Sequence, residues 1–218
     1  MSVATLSDAI GLLRRLFPEA TDHGESPEAP PQGLPPPLVE LYAELGGAIG
    51  RPMGGRSLTV RGTRSSRRDN THFLQSQDSL LPMSRLRQDE IGRWIIAVEN
   101  QGSWDWRVAT ASGDSPVFSA CADDDLAQLR EVNPLLSEFL QGFLLREAIF
   151  GSTFGTVVDD FDGIAGLRPL KLECRVVSAA SNFYLSADAQ ALVNNEAGAW
   201  WFGSNTAAPL LRLGLTLT

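Results

Sequence analysis

Few residues in this chain combine the type and the spacing that chemistry requires. Asp160-Phe161-Asp162-Gly163 repeats the opening of a calcium-binding loop, but the later ligands and the closing glutamate are missing, so it reads as an Asp-Gly turn. Asp123-Asp124-Asp125 places three carboxylates side by side, suited to a divalent cation, to a basic partner, or simply to a solvated acidic turn. His23 and His72 are the only histidines, and neither sits in an H-x-x-H or C-x-x-C setting, so no zinc pattern is present. His72, next to Phe73, reads as a half-buried structural residue. Cys121 is followed by acidic residues, which raise a thiol pKa and oppose its use as a nucleophile. Cys174 falls in a β-rich run and is expected in the core. Glu99 and Asp105 flank a turn and form an acid/base pair only in principle, because polar turn residues more often bond their own backbone. There is no G-x-S-x-G elbow. The glycine-rich stretch 46–55 lacks a G-K-[ST] ending and follows a helix. The spacing therefore assigns no catalytic residue, no metal ligand and no cofactor site. What remains is recognition by large aromatic groups. Trp104, at a turn, is the candidate exposed anchor, while Trp106 and one of Trp200 and Trp201 are expected to be buried.

The elements that must carry these residues centre on Trp94–Phe118. Trp94–Val98 is apolar and rich in β-formers, Glu99–Asp105 contains Gly102 and can turn, and Trp106–Ala109 alternates, with Trp106 and Val108 on one face. Ser112-Gly113-Asp114 is a second turn signal before Pro116–Phe118, so the stretch predicts a meander of three strands. Before it, Leu6, Ile10, Leu13 and Phe17 predict a helix capped by Thr5 or Ser7 and stopped at Pro18. Leu34-Pro35-Pro36-Pro37 introduces a second helix with Leu38, Leu41, Tyr42 and Leu45 buried, expected to end in a left-handed cap at Gly46-Gly47. Leu80-Leu81-Pro82 and Leu86 suggest an apolar anchor and a short helical turn. After the meander, Asn133-Pro134 reads as the cap and first position of a helix over 135–150, with Leu136, Phe139, Leu140, Phe143 and Leu144 buried. Ser152–Pro169, rich in glycine and aspartate, reads as a loop with room for a short helical turn. Strands are expected at Leu170–Ala179, Phe183–Leu185 and Ala199–Phe202. Asp188–Asn194 reads as either strand or short helix, and the leucines from Leu211 as a strand or as a helix from Pro209.

Composition bounds the partners. The chain has 218 residues, is 43% hydrophobic and 20% charged, and carries net charge −8, as an ordinary globular protein does. Six arginines and no carboxylate lie between Arg51 and Arg68, so the rest of the chain carries −14 against −8 for the whole. The arginine stretch reads as a solvated loop or as a contact for an acidic surface. An acidic body repels nucleic acid and anionic membranes and favours basic partners. Two cysteines make no disulfide framework, the N-terminus lacks the pattern of a secretory signal, and no run approaches the roughly 20 apolar residues of a membrane span. A cytoplasmic protein is expected.

Several of these pieces together resemble the SUKH superfamily, which includes the fungal cell-wall synthesis regulator and many bacterial immunity proteins. They are Leu34-Pro35-Pro36-Pro37-Leu38 with Leu41-Tyr42 and Gly46-Gly47, Trp94–Val98 with Glu99-Asn100-Gln101-Gly102 and Trp106, Gly113-Asp114-Ser115-Pro116-Val117, and the helix from Leu136 to Gly151. The resemblance covers 34–151. It implies an α+β fold, a mixed but mostly antiparallel β-sheet with helices packed against it, in one domain over 1–218 with a β-rich extension at 170–218. It also implies a non-enzymatic role, in bacteria the neutralisation of a cognate toxin. A regulatory scaffold is the alternative, followed by a small-molecule binder or enzyme with an unfamiliar site. The contact residues expected from exposure on turns are Glu99, Trp104, Asp105, Asp114, Asp123, Asp124 and Asp125.

Overall fold

The computed structural model describes residues 3–21, 29–49, 74, 76–110, 113–121, 129–174 and 180–216. The whole arginine stretch 51–68, both histidines and Asp123–Asp125 lie outside the described residues, as does the side chain of Cys174. Helix α1 (Leu6–Leu16) starts as its sequence predicts. Thr5 accepts from the Asp8 N–H, and the Asp8 carboxylate accepts from the Thr5 N–H, a reciprocal capping box. A single turn, α2 (Pro18–Thr21), follows. Helix α3 (Pro36–Ile49) runs through Gly46-Gly47 and is not capped there, because Leu45, Gly46 and Ile49 continue its buried face.

The first sheet is six-stranded and its pairings are antiparallel. Its strands are β1 (Asp78–Leu80), β2 (Arg87–Gln88), β3 (Trp94–Glu99), β4 (Trp104–Val108), β5 (Val117–Cys121) and β6 (Arg130–Asn133), in the order β1-β3-β4-β5-β6 with β2 beside β3. The predicted meander is β3-β4-β5. The expected alternation also holds: Trp106 and Val108 are buried inward, and Arg107 lies on the other face with Asp105.

Helix α4 (Leu136–Gly151) crosses behind this sheet. Its start differs from the Asn-Pro prediction. Asn133 ends β6 and accepts from the Leu135 N–H, while the Ser137 N–H is held by Asp114 at 2.9 Å. A cap from a distant turn has replaced a local one. Phe139 and Phe143 meet Trp106 with ring centroids 6.1 and 6.0 Å apart, and at the other end Phe150 meets Trp201 at 4.9 Å. Burying rings of this size contributes on the order of 2 kcal/mol each.

Trp201 belongs to a second antiparallel sheet, five-stranded, in the order β7-β11-β10-β9-β8. Its strands are β7 (Phe154–Val158), β8 (Leu167–Cys174), β9 (Ser181–Ser186), β10 (Ala191–Glu196) and β11 (Ala199–Ser204). The stretch read as a loop therefore contains β7, whose Phe, Thr and Val residues favour extended backbone despite the flanking turns. The 188–194 ambiguity resolves as strand β10, and the C-terminal one as helix α5 (Ala208–Arg212). β11 approaches α4 so closely that a Cβ on Gly203 would lie 2.7 Å from Ile149 Cα. The outer face of this sheet has its own small core of Leu167, Val193, Trp200, Phe202, Leu210 and Leu215. The fold is thus α+β, with helices packed against antiparallel sheet. Among the described residues no helix is long and apolar enough to cross a membrane.

Candidate functional site

The β3–β4 hairpin sets out the recognition residues. Trp94 and Trp106 face inward and are buried, Trp200 is buried on the second sheet, and Trp201 packs on Phe150. Of the five tryptophans Trp104 alone is exposed, at 47%. It opens β4 and pairs with Cys121 at the end of β5. Glu99 closes β3 at the same end, and its carboxylate accepts from the Gln101 and Ser103 N–H groups at 3.1 and 3.3 Å, so it shapes the turn. Asp105, opposite Val98, is bound by Arg107 through two N–H donors at 2.6 and 2.9 Å. Glu99 and Trp104 are therefore at one end of the hairpin, while Asp105, next to Trp104 in β4, is on the opposite face with Arg107. Asp114 is at the other end of the sheet, where it caps α4.

An outer ionic network continues from Asp105. Arg107 also donates to Asp89 at 3.3 Å, and Asp89 holds the Arg93 Nε at 2.9 Å and two N–H groups of its own turn. Partial burial works against the Asp89 charge, but hydrogen bonds from Arg93 outweigh it and hold the carboxyl below the usual range. This balanced set of two carboxylates and two guanidiniums stiffens the outside of the hairpin.

A second network lies inside, between the two sheets, and nothing in the sequence pointed to it. Arg146 and Glu147 interrupt the apolar run of α4, where charged residues suggest a solvent face, but that helix has almost none. Glu147 is 0% exposed. Its carboxylate accepts the Ser76 and Gln77 N–H groups at 2.8 Å each and that of Asp78 at 3.1 Å. Arg146 donates to Asp78 at 2.8 Å and to Glu196 at 3.2 Å, and stacks on Phe150 at 4.9 Å. Glu196 also accepts from Ser181 and Asn194. One guanidinium thus serves three carboxylates. Burial pushes the Glu147 carboxyl up to about 8, with Arg146 opposing and Asp78 reinforcing the shift. Burial likewise raises Asp78. Burial also disfavours the Arg146 charge, but Glu196, Glu147 and Asp78 together hold the guanidinium protonated.

A raised carboxyl can mark a catalytic acid. Here the group is fully buried and bonded to three backbone donors, so its geometry is that of a clasp joining β1, α4 and β10. An open groove of about 530 Å³ lies elsewhere, on the outer side of the second sheet, and Asp160 and Asp162 line it. Among the described residues no group of three or more His, Cys, Asp or Glu side chains is arranged to hold a metal ion. Comparison with family models, with curated proteins and with solved structures gave no match to this chain.

Proposed function

We propose that this chain acts by binding another protein, as an immunity protein that neutralises a cognate toxin, without chemistry of its own. The observation that carries this reading is Trp104. A half-exposed indole on a braced hairpin, at the same end as Glu99, is the kind of side chain that dominates interfaces, because it buries a large area at little entropic cost. The hairpin is braced by the bonds of Glu99 and by the Asp105–Arg107 pair, so little further ordering is needed on binding. The net charge of −8 favours a basic partner and fast association. The resemblance of α3, the meander and α4 to the SUKH superfamily supports the same reading.

The test is co-expression with the product of the neighbouring reading frame. The expected result is that the frame alone arrests growth, that this chain restores it through a stable complex, and that Trp104→Ala weakens the complex by about tenfold or more. A neighbouring product that is harmless, or toxic but unaffected by this chain, overturns the proposal.

A further inference from the structure

The two edges of the second sheet are finished differently. Edge strand β8 carries Pro169 and Lys171, the latter at φ 54°, and its register with β9 breaks between Pro169 and Glu173. The Val3 N–H also reaches the Leu170 carbonyl at 3.5 Å. Proline, lysine and broken register are the usual means by which an edge refuses another strand. Edge strand β7 has none of them. Its residues, Phe154–Val158, are uncharged and pair with β11 in unbroken register from Phe154↔Ser204 to Val158↔Trp200. Among the described residues no strand lies on its other side.

The 530 Å³ groove lies beside this edge, lined by Thr156, Val158, Phe161 and Leu215 with Asp160 and Asp162. Asp159, Asp160 and Asp162 are exposed and form no ion pair among the described residues. An edge left open among the described residues, a groove lined by apolar and polar groups alike, and carboxylates without an ion pair define one class of ligand.

We propose that β7 accepts an extended, basic segment of a partner protein by strand addition. The backbone of the segment pairs with β7, an apolar side chain enters the groove, and lysine or arginine side chains meet Asp160 and Asp162. Charge disfavours a second copy of this chain as the occupant, since each copy carries −8. The site is on the other sheet from Trp104, so this inference and the toxin-binding reading fail independently.

The experiment is fluorescence anisotropy of a labelled peptide of alternating lysine and valine, titrated with the full chain at low salt. Binding is expected. It should weaken about tenfold in Asp160→Asn/Asp162→Asn, a pair of surface changes that spares the fold, and remain unchanged in Trp104→Ala. A peptide of the same sequence with every amide N-methylated keeps its charge but cannot pair, and it is expected not to bind. No binding of the parent peptide, or equal binding of the methylated one, overturns the proposal. So does self-association of the chain that Val158→Lys abolishes, because the occupant is then a second copy.

Discussion

The inner network of Asp78, Arg146, Glu147 and Glu196 and the outer one of Asp89, Arg93, Asp105 and Arg107 are built from the same two functional groups. They differ in depth and in stoichiometry. Outside, each guanidinium has a carboxylate, and Asp89 is held below its ordinary range. Inside, three carboxylates share one guanidinium, and Glu147 is pushed up to about 8. The lesson is that an ion pair is not a fixed quantity of stability. Desolvation and the local excess of one sign decide whether acid or base favours the fold.

Arg146→Met removes the one cation of the inner network. It keeps much of the stem's packing but leaves buried carboxylates without their cation. The expected loss is about 3–5 kcal/mol in chemical denaturation, the range for one-sided removal from a buried pair. A loss below 1 kcal/mol would mean that the inner network is not what joins β1, α4 and β10.

Next comes the pH dependence, where the two networks should show opposite signs. The Glu147 pKa is about 8 when folded and near 4.5 when unfolded, so between those values the folded state holds a proton that the unfolded state releases. This stabilising contribution is complete below about 4.5 and is lost as pH rises through about 8. The slope approaches one proton, about 1.4 kcal/mol per pH unit. Glu147→Gln is expected to flatten the decline measured by denaturation across that window. Asp89 behaves in the reverse sense. Its contribution is present above the ordinary carboxylate pKa and disappears as pH falls below it. Asp89→Asn is therefore expected to cost about 1 kcal/mol at neutral pH and to lessen acid sensitivity below about pH 4. A neutral-pH loss matching that of Arg146→Met would erase the distinction of depth.

The smallest expected effect is that of Trp104→Ala. An exposed side chain that takes part in neither network should leave stability within about 0.5 kcal/mol while partner binding falls. A large loss of stability would place Trp104 in the core with its neighbours.

What the sequence disclosed and withheld follows the same physics. The meander was legible because Trp94–Val98 is a run of β-formers, Gly102 marks the turn, and alternation in Trp106–Ala109 writes one buried and one outer face directly into residue type. The α1 cap was legible because Thr5 and Asp8 are local partners. The α4 cap was not, since Asp114 reaches Ser137 from 23 positions away. β7 was hidden because the aspartates and glycines on its C-terminal side speak for a turn. The Arg146–Glu147 pair was hidden for a deeper reason: charge in a helix ordinarily signals water, and burial is made tolerable by partners far off in sequence, the backbone donors at 76–78 for Glu147 and Asp78 and Glu196 for Arg146. At the recognition end, the exposure of Trp104 was foreseeable from its turn. The anchoring of Asp105 by Arg107 was not foreseen, although the two are near in sequence.

The placement of α4 has one more consequence. Fourteen of its residues are buried, with the first sheet on one flank and the second on another. Stripping away either sheet would bare a greasy rod to solvent. The halves are thus expected to melt as a single cooperative unit, and a chain severed after residue 151 to precipitate instead of surviving as a smaller native fragment.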